Sequence, residues 1–116
     1  MKLKISEQTI ETQIRQYLSI KRIFHWKAKT VGTYDVRKGV FRKSAGYMKG
    51  VSDILGIYNA RPLAIEVKSA KGRMSPEQVA FQHEFRLNGG IAFVARSVDD
   101  VATALDRWRS HTLEVL

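Results

Sequence analysis

The chain contains no cysteine, which excludes disulfide bonds and zinc sites built from thiolates. No apolar run is long enough to cross a bilayer, and the first residues lack the apolar core of a signal peptide. These absences fit a reducing compartment such as the cytoplasm. A chain of 116 residues is expected to form one compact domain, here residues 1–116.

Acidic residues are also scarce, since 11 Asp and Glu face 20 Lys and Arg and the formal net charge is +9. This balance indicates a polyanionic partner, with nucleic acid ahead of an acidic membrane surface; a merely basic protein is the alternative. Residues 21–50 contain Asp35 as their single acid and interleave aromatic with basic residues, which predicts phosphate contacts and base stacking. The residues expected to contact DNA, from this segment and from the loop after residue 68, are Arg42, Lys43, Tyr47, Lys49, Lys71 and Arg73. Tyr47 either stacks on a base or joins the core.

Hydrophobic periodicity and capping residues predict the element order α-β-β-β-α-β-α. The helices are expected at about 7–20 after Ser6, at about 76–87 after Ser75, and from Val98 or Asp99 to Arg107 or Trp108. The strands are expected at 23–30 with one wet face, at 51–58, at 63–68 and at 91–95, with a long loop over 31–50. The strand–helix–strand step predicts a parallel crossover next to an antiparallel hairpin, hence a mixed sheet flanked by helices.

Three charged residues lie in the predicted hairpin, namely Asp53, Glu66 and Lys68. With a turn centred between Ala60 and Arg61, opposed positions sum to about 121, which places Asp53 across from Lys68. Glu66 and Lys68 share a face with Asp53 because strand side chains alternate. The other face is expected to meet the core through Ile54, Tyr58, Leu63, Ile65 and Val67. A structural ion pair between Asp53 and Lys68 is one interpretation, and a cation site is the other.

The cation site has a definite chemistry in a basic protein. Hydrolysis of a phosphodiester requires a deprotonated water, neutralised phosphate charge and a stabilised leaving alkoxide. Mg²⁺ binds one or two carboxylates and keeps several waters, so Asp53, Glu66 and the Val67 carbonyl suit it. Lys68 would then orient the attacking water or share in its proton transfer.

The sequence Gly50-x-x-Asp53, a gap, and Glu66-x-Lys68 resembles the restriction-endonuclease-like PD-(D/E)xK nucleases. Within them it is similar to the virus-type replication-repair nuclease (VRR-NUC) domain, in a small stand-alone version of the phage type. Ser52 stands where the superfamily name expects proline. The resemblance implies an α/β fold with an αβββαβ core and a mixed four-stranded sheet.

The resemblance also implies roles for particular side chains. Asp53 and Glu66 are expected to bind the metal and Lys68 to act in catalysis, with Mg²⁺ as cofactor and Mn²⁺ able to substitute. Glu11 is expected to complete the metal site from the first helix, although a solvated helix acid is equally consistent. Gln78 is expected beside the site, although it also suits a capping box with Ser75.

The functional hypothesis is a metal-dependent, structure-selective DNA endonuclease, similar to Holliday junction resolvases, that acts as a homodimer on branched DNA. A phage-encoded protein of this kind would work in the cytoplasm of a bacterial host. A non-catalytic double-stranded nucleic-acid-binding domain is the first alternative. A scaffold or regulatory subunit that keeps the nuclease fold is the second.

Overall fold

A computed structural model of the chain describes residues 5–28, 33–35, 40–42 and 48–109, with the backbone alone described at 33–35 and 40–42. The elements in chain order are α1 (Glu7–Ile20), β1 (His25–Lys27), β2 (Thr33–Asp35), β3 (Val40–Arg42), β4 (Ile54–Tyr58), β5 (Arg61–Val67), α2 (Pro76–Leu87), β6 (Ile91–Ala95) and α3 (Val98–Asp106).

Each of the three helices in the described part of the chain begins at a serine that caps it. Ser6 accepts a hydrogen bond from the Thr9 N–H, and Ser97 accepts one from the Asp100 N–H. Ser75 and Gln78 form the reciprocal capping box predicted for α2. These caps satisfy N–H groups that would otherwise lack a partner at a helix start, which explains why the helices begin where the sequence predicts.

The main sheet has the strand order β1-β4-β5-β6. β4 runs antiparallel to β1 and β5, whereas β5 and β6 are parallel and joined through α2. One face packs on α1 and α3 and holds the core, which includes Ile14, Leu18, Ile54, Leu63 and Ile65. The mixed four-stranded sheet with flanking helices confirms the predicted α/β class, and the core-facing stripe of the hairpin is confirmed as well.

The long loop predicted over 31–50 is wrong in part, because β2 and β3 pair there as a separate antiparallel sheet. Tyr34 lies opposite Phe41 in this pairing. Each strand has only three residues, which is too short for an alternating pattern to be recognised.

The first strand is shorter than the predicted 23–30, and its apolar face is not buried. Phe24 is 67% exposed and Trp26 is 43% exposed, with their ring centroids 5.5 Å apart. Trp26 pairs with Leu55 at the edge of the sheet, whereas α2 covers β5 and β6 on that side and makes no contact with β1. The expected burial therefore fails because the covering helix stops two strands short.

The hairpin register differs from the prediction by two residues. Asn59 and Ala60 form a two-residue turn with φ values of 50° and 65°, so β5 begins at Arg61 and paired positions sum to 119 rather than 121. Pro62 is accommodated opposite Ile57, whose own N–H bonds to the Phe24 carbonyl at 3.0 Å. Continuing the register past Ile54 and Ile65 places Asp53 across from Glu66 and not from Lys68. A shift of two residues leaves each side chain on its predicted face.

Candidate active site

A cavity of about 480 Å³ opens between the first turns of α1 and α2, beside the end of β5. Its lining residues are Glu7, Gln8, Glu11, Lys27, Asp53, Glu66, Val67, Lys68 and Gln78. The structure thus brings together the side chains to which the sequence assigned catalysis and metal binding.

Asp53 is fixed by backbone groups of both neighbouring strands. Its carbonyl accepts a hydrogen bond from the Ala28 N–H at 2.9 Å. Its carboxylate Oδ2 accepts one from the Val67 N–H at 2.8 Å. These contacts hold the Asp53 carboxylate beside the end of β5, which carries Glu66.

Gly50 allows the segment that leads to Asp53 to pack closely against α2. It has φ of +83°, and a Cβ there would lie 2.2 Å from the Glu77 carbonyl oxygen. A glycine is required because both the left-handed backbone and the close approach exclude a side chain. The neighbour that Gly50 approaches is the first turn of α2.

Glu66 is a buried carboxyl group with one satisfied and one unsatisfied oxygen. It is 1% exposed, and Oε1 accepts a hydrogen bond from Gln78 Nε2 at 2.9 Å. Oε2 is buried and has no hydrogen-bond partner within the described residues when the carboxyl is ionised. Burial, and next the negative charge of Asp53, raise the pKa of Glu66 from 4.5 to about 8, against a partly opposing effect of Lys68. A protonated Glu66 would donate a hydrogen bond to the Asp53 carboxylate.

Gln78 performs both functions that its position in the sequence allows. Its Oε1 accepts a hydrogen bond from the Ser75 N–H at 2.9 Å, which completes the capping box. Its Nε2 donates to Glu66. The helix cap therefore fixes the rotamer that presents the amide to Glu66.

Glu11 lies at the cavity and is paired with a residue that sequence reasoning did not assign to the site. It is 8% exposed, and its Oε2 lies 3.2 Å from Lys27 Nζ. Glu7 and Gln8 were missed as well. Glu7 is one helical turn before Glu11 and therefore shares its helix face. Lys27 lies on the predicted wet face of its strand. These two spacings could have indicated that Glu7 and Lys27 belong to the site.

Lys68 follows β5 and is held to β6 through its backbone, since its N–H donates to the Ala95 carbonyl at 3.1 Å. In the part of the chain that the structure describes, ion pairs join Lys27 to Glu11 and Arg109 to Asp106, but none joins Asp53 to Lys68. The interpretation of these two residues as a structural ion pair is therefore wrong.

The residues expected to contact DNA are more dispersed. Lys71 and Arg73 are exposed in the loop that follows Lys68. Lys49 is exposed but lines a separate, mainly apolar groove of about 550 Å³ against α2. Lys43, Tyr47 and the Arg42 side chain lie outside the described residues.

The donor set suits a hard divalent cation, although the cavity is not a preformed three-ligand metal site. Among residues 5–28 and 48–109, no three Asp, Glu, His or Cys side chains are placed to hold an ion together. Asp53, Glu66 and the Val67 carbonyl are hard oxygen donors, and the unsatisfied Glu66 Oε2 requires a proton or a cation. The residues present therefore fit a magnesium-type ion.

Comparison with known proteins agrees with this geometry. The family model of the VRR-NUC domain matches residues 5–99. The chain belongs to the VRR-NUC family. A solved structure described as a VRR_NUC domain protein superposes with a TM-score of 0.68 at 16% identity, covering 91% of this chain and 89% of that chain. No curated protein matches the sequence.

Membership of the VRR-NUC family places the chain among nuclease-type proteins. Nucleic acid is therefore its class of substrate, and nucleases of this family generally use divalent metal ions. The described helices include none long and apolar enough to span a membrane.

Proposed function

We propose that this VRR-NUC chain is a Mg²⁺-dependent endodeoxyribonuclease that hydrolyses phosphodiester bonds in branched DNA. The observation that carries the proposal is the buried Glu66 carboxyl, whose free oxygen lies beside Asp53 in a cavity that Lys68 also lines. A buried carboxylate with a second, partly buried acid beside it is unfavourable without a cation, so the presence of Glu66 and Asp53 in one cavity favours a binding role.

The cavity residues that the sequence predicted for the site divide the tasks of the proposed reaction between them. Asp53, Glu66 and the Val67 carbonyl would hold the metal, with Glu11 completing the site after exchanging its contact with Lys27. The bound metal would supply an acidified water and neutralise phosphate charge. Lys68 would orient the attacking water and stabilise developing negative charge. Gln78 donates a hydrogen bond to Glu66 Oε1 and would keep the Glu66 carboxylate in place for the metal.

Substrate binding is assigned to the basic residues around the cavity. Lys71 and Arg73 are exposed on the loop that follows Lys68. Phosphates on either side of the scissile bond would lie next to this loop. Arg42, Lys43, Tyr47 and Lys49 would extend the contact along the DNA. We further propose that residues 1–116 work as one nuclease domain and that two copies act together, since a two-fold dimer matches the symmetry of a four-way junction. The expected place of action is the cytoplasm, of a bacterial host if the chain is phage-encoded.

The test is cleavage of a synthetic four-way junction and of a matching linear duplex, with Mg²⁺ or Mn²⁺ and with EDTA. Wild type should nick the junction with metal only, and Asp53→Asn, Glu66→Gln and Lys68→Met should each lose cutting. Binding of the junction in EDTA should persist in all three variants. Arg107→Met is the matched control, since Arg107 follows α3 at the opposite end of β5 and β6. Full cutting by the three site variants would refute the assignment.

A non-catalytic double-stranded nucleic-acid-binding domain is the second candidate. It is favoured by the lack of a three-ligand metal group in the described residues and by the pairing of Glu11 with Lys27. It predicts salt-sensitive DNA binding without any need for metal. Calorimetry with Mn²⁺ separates the two, because only the nuclease should release heat that Asp53→Asn abolishes.

A further inference from the structure

The loop after β5 forms a tight turn that lies beside the Lys68 side chain. The Gly72 N–H donates to the Ser69 carbonyl at 3.1 Å, which closes the turn over residues 69–72. A Cβ on Gly72 would lie 3.4 Å from both Cβ and Cδ of Lys68. The turn therefore forms one wall of the space that the Lys68 stem occupies.

Arg96 holds this turn from the neighbouring strand. It follows β6 directly, and its backbone N–H donates to Asp100 Oδ2 at 2.8 Å. Its Nη1 donates to the carbonyls of Ser69 and Gly72, the latter at 2.7 Å, and lies 3.4 Å from the Ala70 carbonyl. One guanidinium group thus binds both ends of the turn.

The hydrogen bonds of Arg96 hold a loop that the pairing of β5 with β6 does not reach. The ladder between β5 and β6 ends near Lys68, whose N–H bonds to Ala95. Beyond that point the turn carbonyls converge on one side, where charge-assisted hydrogen bonds from a planar guanidinium are stronger than bonds from water. Arg96 is itself exposed, so its burial does not explain its position.

We infer that Arg96 is a positioning residue for Lys68. It holds the Ser69–Gly72 turn against the Lys68 stem, and the turn keeps the Lys68 ammonium directed at the scissile phosphate. The inference rests on the proposed nuclease function, in which Lys68 contacts the reacting groups. The structure places the Arg96 guanidinium on the carbonyls of this turn.

The test compares Arg96→Met, Arg96→Lys and the control Arg107→Met. Junction cleavage is measured under single-turnover conditions at saturating protein, and junction affinity is measured in EDTA. We expect Arg96→Met to lower the cleavage rate about tenfold or more, since misplacing a catalytic group by an ångström has effects of this order. Its affinity should change much less than its rate. Arg96→Lys should recover most of the rate because an ammonium also donates to several carbonyls.

A second measurement reports how firmly the 69–72 turn is held, and it does not depend on nuclease activity. Trypsin cleaves after Lys71 and Arg73, and Arg96→Met should accelerate both cleavages while Arg107→Met leaves them unchanged. The inference is overturned if Arg96→Met cuts DNA as fast as wild type, if Arg96→Lys restores nothing, or if Arg107→Met loses as much rate. If wild type itself does not cut, the proposed function fails, and the tryptic rates still decide whether Arg96 holds the turn.

Discussion

At the scale of single residues, the Glu66 carboxyl lies where its ionisation is unfavourable. Its side chain lies between Gln78, which satisfies one oxygen, and Asp53, whose negative charge opposes its ionisation. Such a group remains protonated near neutral pH unless a cation replaces the proton. The protonation of this carboxyl therefore links stability to pH, and in the proposed function it would also link both to metal affinity.

The first prediction concerns the pH dependence of stability in EDTA. The pKa of Glu66 is raised from 4.5 to about 8 in the folded protein, so between these values the folded state holds a proton that the unfolded chain has released. The contribution of Glu66 therefore makes the free energy of unfolding fall as pH rises from about 4.5 to about 8, by an amount on the order of a few kcal/mol. The effect should be absent in Glu66→Gln, which is always neutral.

Thermal denaturation of both proteins at about pH 5.5 and about pH 8.5 checks this expectation. Glu66→Gln should be more stable than wild type at the higher pH, and the difference should shrink at the lower pH. Parallel pH profiles for the two proteins would contradict it. Saturating Mg²⁺ should also reduce the difference at high pH, because the bound cation stabilises the ionised carboxyl.

The second prediction separates the two functions of Gln78. Ser75→Ala removes the capping hydroxyl and should cost about 1 kcal/mol of unfolding free energy, with cutting retained. Gln78→Ala should cost stability and also slow DNA cleavage, because Glu66 loses its only described hydrogen-bond donor. Urea denaturation and junction cleavage measure the two effects. Equal cleavage rates for the two variants would show that Gln78 acts only as a cap.

At the scale of elements, local chemistry predicted the helices and long-range packing decided the rest. The caps at Ser6 and Ser75 and the period of the apolar residues were sufficient for α1 and α2, because these signals act within a few residues. The exposure of Trp26 could not be predicted, since it depends on how far α2 extends across the sheet. Burial on a sheet face is a tertiary property that strand alternation alone does not reveal.

The hairpin shows why the grouping of the candidate site residues was largely predictable although the register was not. Asn59 and Ala60 adopt positive φ, and Ala60 carries no sequence signal for that conformation. The resulting error was an even number of residues, so Asp53 and Glu66 kept a common face. The contact of Lys27 with Glu11 and the hydrogen bonds of Arg96 to the 69–72 turn join residues distant in the chain, so a local pattern can indicate which face a residue occupies but not these pairings.

The third prediction tests the contact between the Asp53 segment and α2. Gly50→Ala should destabilise the protein by at least about 2 kcal/mol, because the methyl group would meet the Glu77 backbone and the residue has positive φ. Gly89→Ala is the matched control, since its φ is +86° and a Cβ there meets nothing within 4 Å. The control should therefore lose only the cost of the left-handed backbone. Urea denaturation measures the unfolding free energy of both variants. Equal decreases for Gly50→Ala and Gly89→Ala would contradict the close contact between Gly50 and α2.

At the scale of the whole molecule, a strongly basic chain contains a cavity that is lined by acids as well as by Lys27 and Lys68. The net charge of +9 attracts DNA over distances near the Debye length, whereas Asp53 and Glu66 act only at contact. The long-range field therefore attracts nucleic acid, and in the proposed reaction Asp53 and Glu66 would fix the position of the metal. The two effects respond differently to salt, which allows them to be measured separately.

The fourth prediction uses this difference on Lys71 and Arg73, which are exposed beside Lys68. If both side chains bind phosphates, replacing both by glutamine should reduce the slope of log affinity against log salt concentration by about 1.8, since each contact contributes about 0.9 for duplex DNA. Binding is measured in EDTA so that cleavage does not interfere. Arg107→Gln, distant from the cavity, should leave the slope unchanged. An unchanged slope in the double variant would place the DNA elsewhere on the molecule, because counterion release counts only the phosphates that the protein contacts.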